Sequence, residues 1–221
     1  MLLSLAVAPV IIFLVFMFIK DRYEKEPLRL LLLGALYGFY ISVPVLLNDV
    51  FLMKLSVSRA YPIIFSAFVT SAGNEELLKL VFLYFLMYKN KELNEPVDGI
   101  VYSVFISLGF AGAENIIYIF NPVLGGFETA LSRAVISVPA HGLFAVSMGY
   151  YFGIYHYLKG GIFYLFAAFF SPWILHGLFN FILLWETKWY LFVFIPYVIL
   201  LWVNAFIKIK SHLGLSPFKK A

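Results

Sequence analysis

No cysteine occurs among the 221 residues, which excludes disulfides, thiolate nucleophiles, Cys-ligated metals and iron–sulfur clusters, and leaves no record of compartment redox state. Charge is scarce too, at 13% of residues. Only three aspartates are present, Asp21, Asp49 and Asp98. None of them is deep in an apolar run, and Asp49 and Asp98 fall near helix ends, where hydration or capping accounts for them, so a Gly-x-Gly-Asp peptidase with a second membrane aspartate is excluded. A His-Glu-x-x-His zinc helix is also missing. A serine nucleophile needs a base within reach, and Ser137 or Ser147 near His141 is too loose a pairing to serve.

What is present is apolar surface. Hydrophobic residues make up 63% of the chain and aromatics 20%, with a mean hydropathy of +0.93. Seven apolar stretches can be read, roughly 2–19, 28–53, 62–88, 98–120, 130–157, 161–185 and 189–207. Each suits a helix crossing a hydrocarbon core of about 30 Å at about 1.5 Å per residue. The expected fold is therefore all-α, a polytopic transmembrane helix bundle of about seven spans forming one domain over 1–221. The loops leave no room for a soluble domain, so function must sit inside the bundle or at its rim. The first stretch has no basic residue before it and no small-residue cleavage site after it, and is read as retained rather than removed as a signal peptide.

Basic residues set the expected orientation. Lys20, Arg22, Lys25, Arg29, Lys89, Lys91, Lys159, Lys208, Lys210, Lys219 and Lys220 fall on one side of the bundle, against Lys54, Arg59 and Lys188 on the other. The positive-inside tendency then places the N-terminus outside and the C-terminal tail in the cytoplasm. The basic tail is read as an orientation device and a lipid-headgroup contact, with no nucleic-acid role. Trp185, Trp189 and Trp202 are expected in interfacial belts.

Against this background the third stretch stands out, because Asn74, Glu75, Glu76 and Lys79 interrupt it. An ionisable group at the bilayer centre costs roughly 2.5–3.5 kcal/mol on insertion scales, so such a cluster needs a partner or a function. Three further helices carry Glu114, His141 and His176. Counted from each helix's outer end, Glu75 lies about 20 Å deep, Glu114 about 9 Å, His141 about 15 Å and His176 about 13 Å. Those depths are compatible with one layer in or near the outer half of the membrane, facing a water-filled pocket. Glu75 and Lys79, Phe110 and Glu114, and His176 and Asn180 each share a helix face at i,i+4. Gly109, Gly112, Gly142 and Gly177 flank these positions and let helices approach closely.

Each group also has a plainer account. Glu75 or Glu76 with Lys79 forms an intrahelical ion pair, but one carboxylate is left over. Glu114 suits a buried acid bonded to Asn115 or a carbonyl, and His141 or His176 a packing residue. Arg133 is expected to snorkel or to pair with Glu128, with no part in chemistry. The chemistry that fits the four helices together is carboxylate-driven activation of water. A glutamate in a low-dielectric pocket takes a proton from water as the water attacks a peptide carbonyl, and an imidazole and an amide at the oxyanion add electrostatic stabilisation.

The segments Glu75-Glu76-Leu77-Leu78-Lys79, Phe110-Ala111-Gly112-Ala113-Glu114, the isolated His141, and His176-Gly177-Leu178-Phe179-Asn180 resemble the four motifs of the PrsW proteases. That family is related to the CAAX prenyl-protease and bacteriocin-processing superfamily. The resemblance covers nearly the whole chain, including Glu26-Pro27 in the basic first loop. It implies a bacterial cell-membrane peptidase that makes the first, outward-side cut in a single-span anti-sigma factor. It further implies Glu75 as general base, Glu76 with Lys79 as its orienting pair, and His176 with Asn180 at the oxyanion. Glu114 stands where the CAAX relatives carry a histidine, a role that His141 is free to fill. No cofactor is expected on this reading. Zinc held by Glu75, Glu114, His141 and His176 is the alternative, and the metal-free version is preferred because no local His-x-x-x-His pair exists. A proton-coupled transporter and a haem- or quinone-linked subunit using His141 and His176 are the readings from other classes. The second half contains no repeat of the Glu-Glu motif, which counts against the transporter.

Overall fold

The computed structural model describes residues 1–56, 62–88, 90–123, 125–185 and 188–219. Arg59, Lys89 and Lys220, which entered the charge bias, and Tyr61, just before the third run, lie outside the described residues. The described chain is all-helical and contains no strand. Seven long helices succeed one another: α1 (Leu2–Lys20), α2 (Leu28–Ser56), α3 (62–87), α4 (Asp98–Ile119), α5 (Phe127–His156), α6 (Ile162–Leu184) and α7 (Tyr190–Gly214). Six are long and apolar enough to cross a membrane. The exception is α3, whose length is comparable but whose apolar run is broken by Glu75, Glu76 and Lys79.

Local sequence accounts for the breaks. Pro27 precedes α2, and its carbonyl receives the N–H groups of Leu30 and Leu31. Gly126 and Gly161, at φ +117° and +86°, turn the chain into α5 and α6, a conformation that side-chain-bearing residues avoid. Pro9, Pro44, Pro172 and Pro196 lie inside helices, as packed membrane helices tolerate.

Burial ranks the helices. The apolar window of α4 is 72% buried and that of α5 56%, against 17% for α1 and α7. The core therefore lies along α4 and α5, and the outer helices present leucine, isoleucine and phenylalanine outward, as lipid requires. Close crossings make α4 central. A Cβ on Gly109 would lie 2.0 Å from the Ala35 carbonyl of α2, and one on Gly149 of α5 would lie 2.2 Å from the Gly99 carbonyl. Gly112 and Gly142, expected to serve the same purpose, have only ordinary van der Waals neighbours. Trp185 and Trp189 sit exposed at helix ends, but Trp202 lies midway along α7, stacked on Phe206 and tilted against Phe13. It packs two helices together and is no part of a belt.

Two helices change pitch. In α3 the residues Phe65–Gly73 form a π-helical stretch between Pro62–Ile64 and Asn74–Met87, and in α5 Arg133–Ser137 do the same. π turns inside α-helices gather at functional sites. Both of these end shortly before a residue of interest, Glu75 in α3 and His141 in α5. The Trp173 indole N–H donates to the Phe68 carbonyl at 2.6 Å, satisfying an acceptor within the widened turn. A Cβ at Gly73 would meet that same carbonyl at 2.8 Å, so the π stretch ends on the residue that leaves it room.

Candidate active site

The first turn after the α3 π stretch carries Glu75 and Glu76, both buried, with Lys79 one turn on and only 1% exposed. The ammonium of Lys79 donates to Glu75 Oε2 at 3.0 Å and to Glu76 Oε1 at 2.8 Å, and lies 4.3 Å above the ring of Phe110. The i,i+3 and i,i+4 spacing places all three groups on one face, and charge-assisted hydrogen bonds offset their desolvation.

Two imidazoles close on this triad from α5 and α6. His141 lies 3.4 Å from Lys79 through Nδ1 and 2.9 Å from Glu114 Oε2 through Nε2. A carboxylate and an ammonium on opposite ring nitrogens select the neutral tautomer with hydrogen on Nε2. His176 donates from Nδ1 to Glu76 Oε1 at 2.9 Å and stacks on Phe144 with centroids 4.7 Å apart. The two rings meet edge to face at 5.3 Å. From Asn180, one turn beyond His176, the amide donates to Ser71 Oγ at 2.7 Å, and that hydroxyl donates to Glu75 Oε1 at 3.2 Å.

Glu114 faces a second cation. Arg133 forms an ion pair with Glu114 Oε2 at 2.9 Å, donates through Nε to Asn115 Oδ1 at 2.7 Å, and lies 4.3 Å over the Tyr118 ring. Arg133 is thus part of the site, and the expectation that it snorkels or pairs with Glu128 is corrected. Burial is the reason: a guanidinium in the π stretch of α5 gains more from a desolvated carboxylate than from an exposed one. Asp49 is likewise more than a solvated end group, since Asn74 Nδ2 donates to its Oδ1 at 2.9 Å.

All seven site residues read from the sequence, Glu75, Glu76, Lys79, Glu114, His141, His176 and Asn180, belong to this one hydrogen-bonded assembly across four helices. Sequence reasoning missed Ser71 and misassigned Arg133. Ser71 stands four residues before Glu75, the spacing that picked out Lys79 four residues after it. Arg133 stands eight before His141, about two turns away on the same side.

Beside the assembly lies a cavity of about 280 Å³. Its lining includes Ser71, Glu75, Glu114, Arg133, His141, His176 and Asn180, with Tyr118, Leu183 and Leu184 toward the face that carries the N-terminus. Glu76 is completely enclosed and does not line it.

Glu75, Glu76, His141 and His176 each offer one donor atom, all within 4.8 Å of one another. Two carboxylates and two imidazoles suit zinc in kind. Glu76, rather than the expected Glu114, is the fourth member of that group, because Glu114 is turned to Arg133. The Lys79 ammonium presently stands among these donors as their cation, so a metal in the same place requires Lys79 to withdraw.

Fold and site together define a multi-pass membrane protein with an acid–base centre buried among its helices. The sequence profile described as PrsW family intramembrane metalloprotease matches residues 26–204. The chain is 39% identical over 219 residues to Protease PrsW of Clostridioides difficile (strain 630), covering 96% of this chain and 92% of the relative. Protease PrsW of Geobacillus kaustophilus (strain HTA426) is 38% identical over 96% of this chain and 92% of its own length. Protease PrsW of Bacillus subtilis (strain 168) is 32% identical over 91% and 90%. No solved structure matches. The chain belongs to the PrsW family of intramembrane proteases, and is a multi-pass bacterial membrane protein.

Proposed function

We propose that this protein is a single-domain glutamic-type intramembrane endopeptidase in which Glu75 activates the attacking water. One observation carries the assignment: of the two adjacent buried carboxylates, only Glu75 opens on the cavity. Ser71 and Lys79 hold one Glu75 oxygen each, which fixes the carboxylate and leaves further lone pairs for water. Glu76 is a positioning residue, engaged by Lys79 and His176.

As water attacks the scissile carbonyl, its proton passes to Glu75 and negative charge develops on the carbonyl oxygen. His176, with Nδ1 directed at Glu76, has Nε2 left for that oxygen and donates there when doubly protonated. Asn180 gives one N–H to Ser71 and retains the other for the same oxygen. The proton on Glu75 then goes to the leaving amine. His141, held between Glu114 and Lys79, keeps the cluster's hydrogen-bond order.

The substrate on this reading is a single-span membrane protein such as an anti-sigma factor, entering from lipid. With the N-terminus outside and the basic face in the cytoplasm, the cavity lies toward the outer surface and the cut is the first, outward-side one. Family membership favours peptidase chemistry over the transporter and haem readings.

A second reading rests on the donor group of Glu75, Glu76, His141 and His176 and on the metalloprotease in the family description. Zinc bound there would supply Lewis-acid polarisation of water and carbonyl. Purified protein in lipid, offered single-span substrates beside Glu75→Gln and with a chelator, separates the two. Cleavage that survives chelator and is lost in Glu75→Gln supports the glutamic mechanism. Loss with chelator and recovery with zinc supports the metal, and cleavage by Glu75→Gln refutes Glu75 as base.

A further inference from the structure

At the other end of the bundle the loop after α1, the turn before α4 and the segment after α7 come together around a second set of carboxyls. Asp21, Glu95 and Asp98 have 0% exposure and Glu26 has 2%. Asp98 was expected to be hydrated or to cap a helix end. Instead its Oδ2 accepts the backbone N–H groups of Asn94 and Glu95, at 2.8 and 2.7 Å, and closes the preceding turn. Asp21 Oδ2 accepts the Glu26 N–H at 3.0 Å. In both aspartates the other oxygen, Oδ1, is buried without a partner. Glu26 accepts the Tyr102 hydroxyl on one oxygen and faces the Asp98 carboxyl.

Glu95 supplies the independent observation. It is fully enclosed, and it points a donor atom to within 4.8 Å of donor atoms from Asp21 and Asp98. The Ser216 hydroxyl is near enough to hydrogen-bond one of its oxygens, which leaves the other free. Among the described residues no ion pair reaches any of these four carboxyls. The nearby cation Lys25 directs its ammonium to the carbonyls of Phe18 and Asp21.

Burying like charges this close is unfavourable unless something neutralises them. Backbone N–H donors on Asp21 and Asp98 favour their ionised forms, while burial works against ionisation at Asp21, so the cluster needs either protons or a cation as its counter-charge. Each aspartate has one oxygen fixed by backbone and the other free, which is how ligands are oriented by the groups behind them. The donors are all oxygen, with no nitrogen or sulfur, and all-oxygen sets suit hard divalent cations. Burial pushes Asp21 up to about 6 and Glu26 up to about 8, as happens to carboxyls that lack a counter-charge.

We propose that Asp21, Glu95 and Asp98 form a binding site for a hard divalent cation, magnesium, manganese or calcium, that ties the first loop to the start of α4. Because α4 also carries Glu114, the cation holds the central helix in place relative to α1. The site is separate from the cluster around Lys79 and does not depend on the peptidase mechanism.

The test uses the full chain in lipid nanodiscs after chelator stripping. Millimolar magnesium, manganese or calcium should each be tried, and at least one should raise the unfolding temperature by several degrees in a saturable way. Glu95→Gln keeps the side chain's shape and should lose that rise. Manganese counted by electron paramagnetic resonance should show one bound ion per chain in the wild type and in Glu75→Gln, and none in Glu95→Gln or Asp98→Asn. No response to any of the three ions overturns the site and leaves a proton-sharing cluster. An equal response in wild type and Glu95→Gln overturns it too, by moving the ion elsewhere.

Discussion

Two polar clusters are buried near opposite faces of this bundle, and they are neutralised in opposite ways. Around α3 the carboxylates of Glu75, Glu76 and Glu114 face the fixed cations Lys79 and Arg133. Three acids against two bases leave one negative charge, shared with two imidazoles. At the other face Asp21, Glu26, Glu95 and Asp98 form no ion pair among the described residues, and Lys25, the cation near Asp21, gives its ammonium to backbone carbonyls. The first cluster carries its counter-charges on its own helices, with one carboxylate in excess. A cluster built to fasten loops can take its counter-charge from solution. The contrast teaches that buried charge in a membrane protein is read best from what neutralises it.

The largest effect should come from removing the one surplus carboxylate that faces the cavity. Glu75→Gln is expected to lower cleavage of a single-span substrate by about 10²–10⁴-fold, the usual contribution of a general base. Its unfolding temperature in nanodiscs should change little, because the amide oxygen still accepts from Lys79 and the amide N–H group can donate to Ser71 Oγ. Full activity in that variant would move the base to another group. Removing a counter-charge should instead strike folding. Lys79→Met leaves two buried carboxylates without their cation, and breaking such a pair costs about 3–5 kcal/mol. The expected readout is an unfolding temperature lower by roughly 10 °C, at about 2–4 °C per kcal/mol for a chain of this size. An unchanged temperature would mean that the cluster is neutralised some other way.

Much of the first cluster was legible because membrane sequence makes polar residues conspicuous. Glu75, Glu76, Lys79, Glu114, His141 and His176 interrupt apolar runs, and helical spacing joined them to Asn180. Ser71 was not conspicuous, since a serine costs little in a membrane helix, and Arg133 stood close enough to a helix end for snorkelling to account for it. The π stretches were illegible: nothing in Phe65–Gly73 or Arg133–Ser137 differs in composition from an ordinary helix, and the wider turn depends on tertiary partners such as the Trp173 indole. The second cluster escaped for the reverse reason. Asp21, Glu26, Glu95 and Asp98 sit in loops or at helix ends, where acidic residues are expected to be wet, and only the fold brings them together and buries them.

Asn180 tests how the first cluster divides its work. If the amide donates to the oxyanion, Asn180→Ala should lower kcat by about 10²-fold with KM little changed, in the range for a lost oxyanion donor. Ser71→Ala removes only the bridge to Glu75 and is expected to cost about one neutral hydrogen bond, roughly 1 kcal/mol or several-fold in rate. Equal losses in both variants would make Asn180 a brace for Ser71 and remove it from contact with substrate.

The smallest effect gives the sharpest comparison, because the same chemical change is predicted to act with opposite sign at the two ends. Glu76→Gln removes a charge that Lys79 and His176 both contact, and should destabilise. Glu26→Gln keeps a carbonyl oxygen for the Tyr102 hydroxyl while deleting the negative charge that Glu26, pushed up to about 8 by burial, carries only above neutral pH. In divalent-free buffer at about pH 9, above the value of about 8 to which burial pushes Glu26, it should therefore raise the unfolding temperature, by about 2–4 °C if the relief is about 1 kcal/mol. Restoring the divalent ion should shrink that gain, since the ion already supplies the missing charge to wild type. A fall in stability for Glu26→Gln without the ion would mean that the second cluster is balanced within the chain, and the distinction between the two faces would be lost.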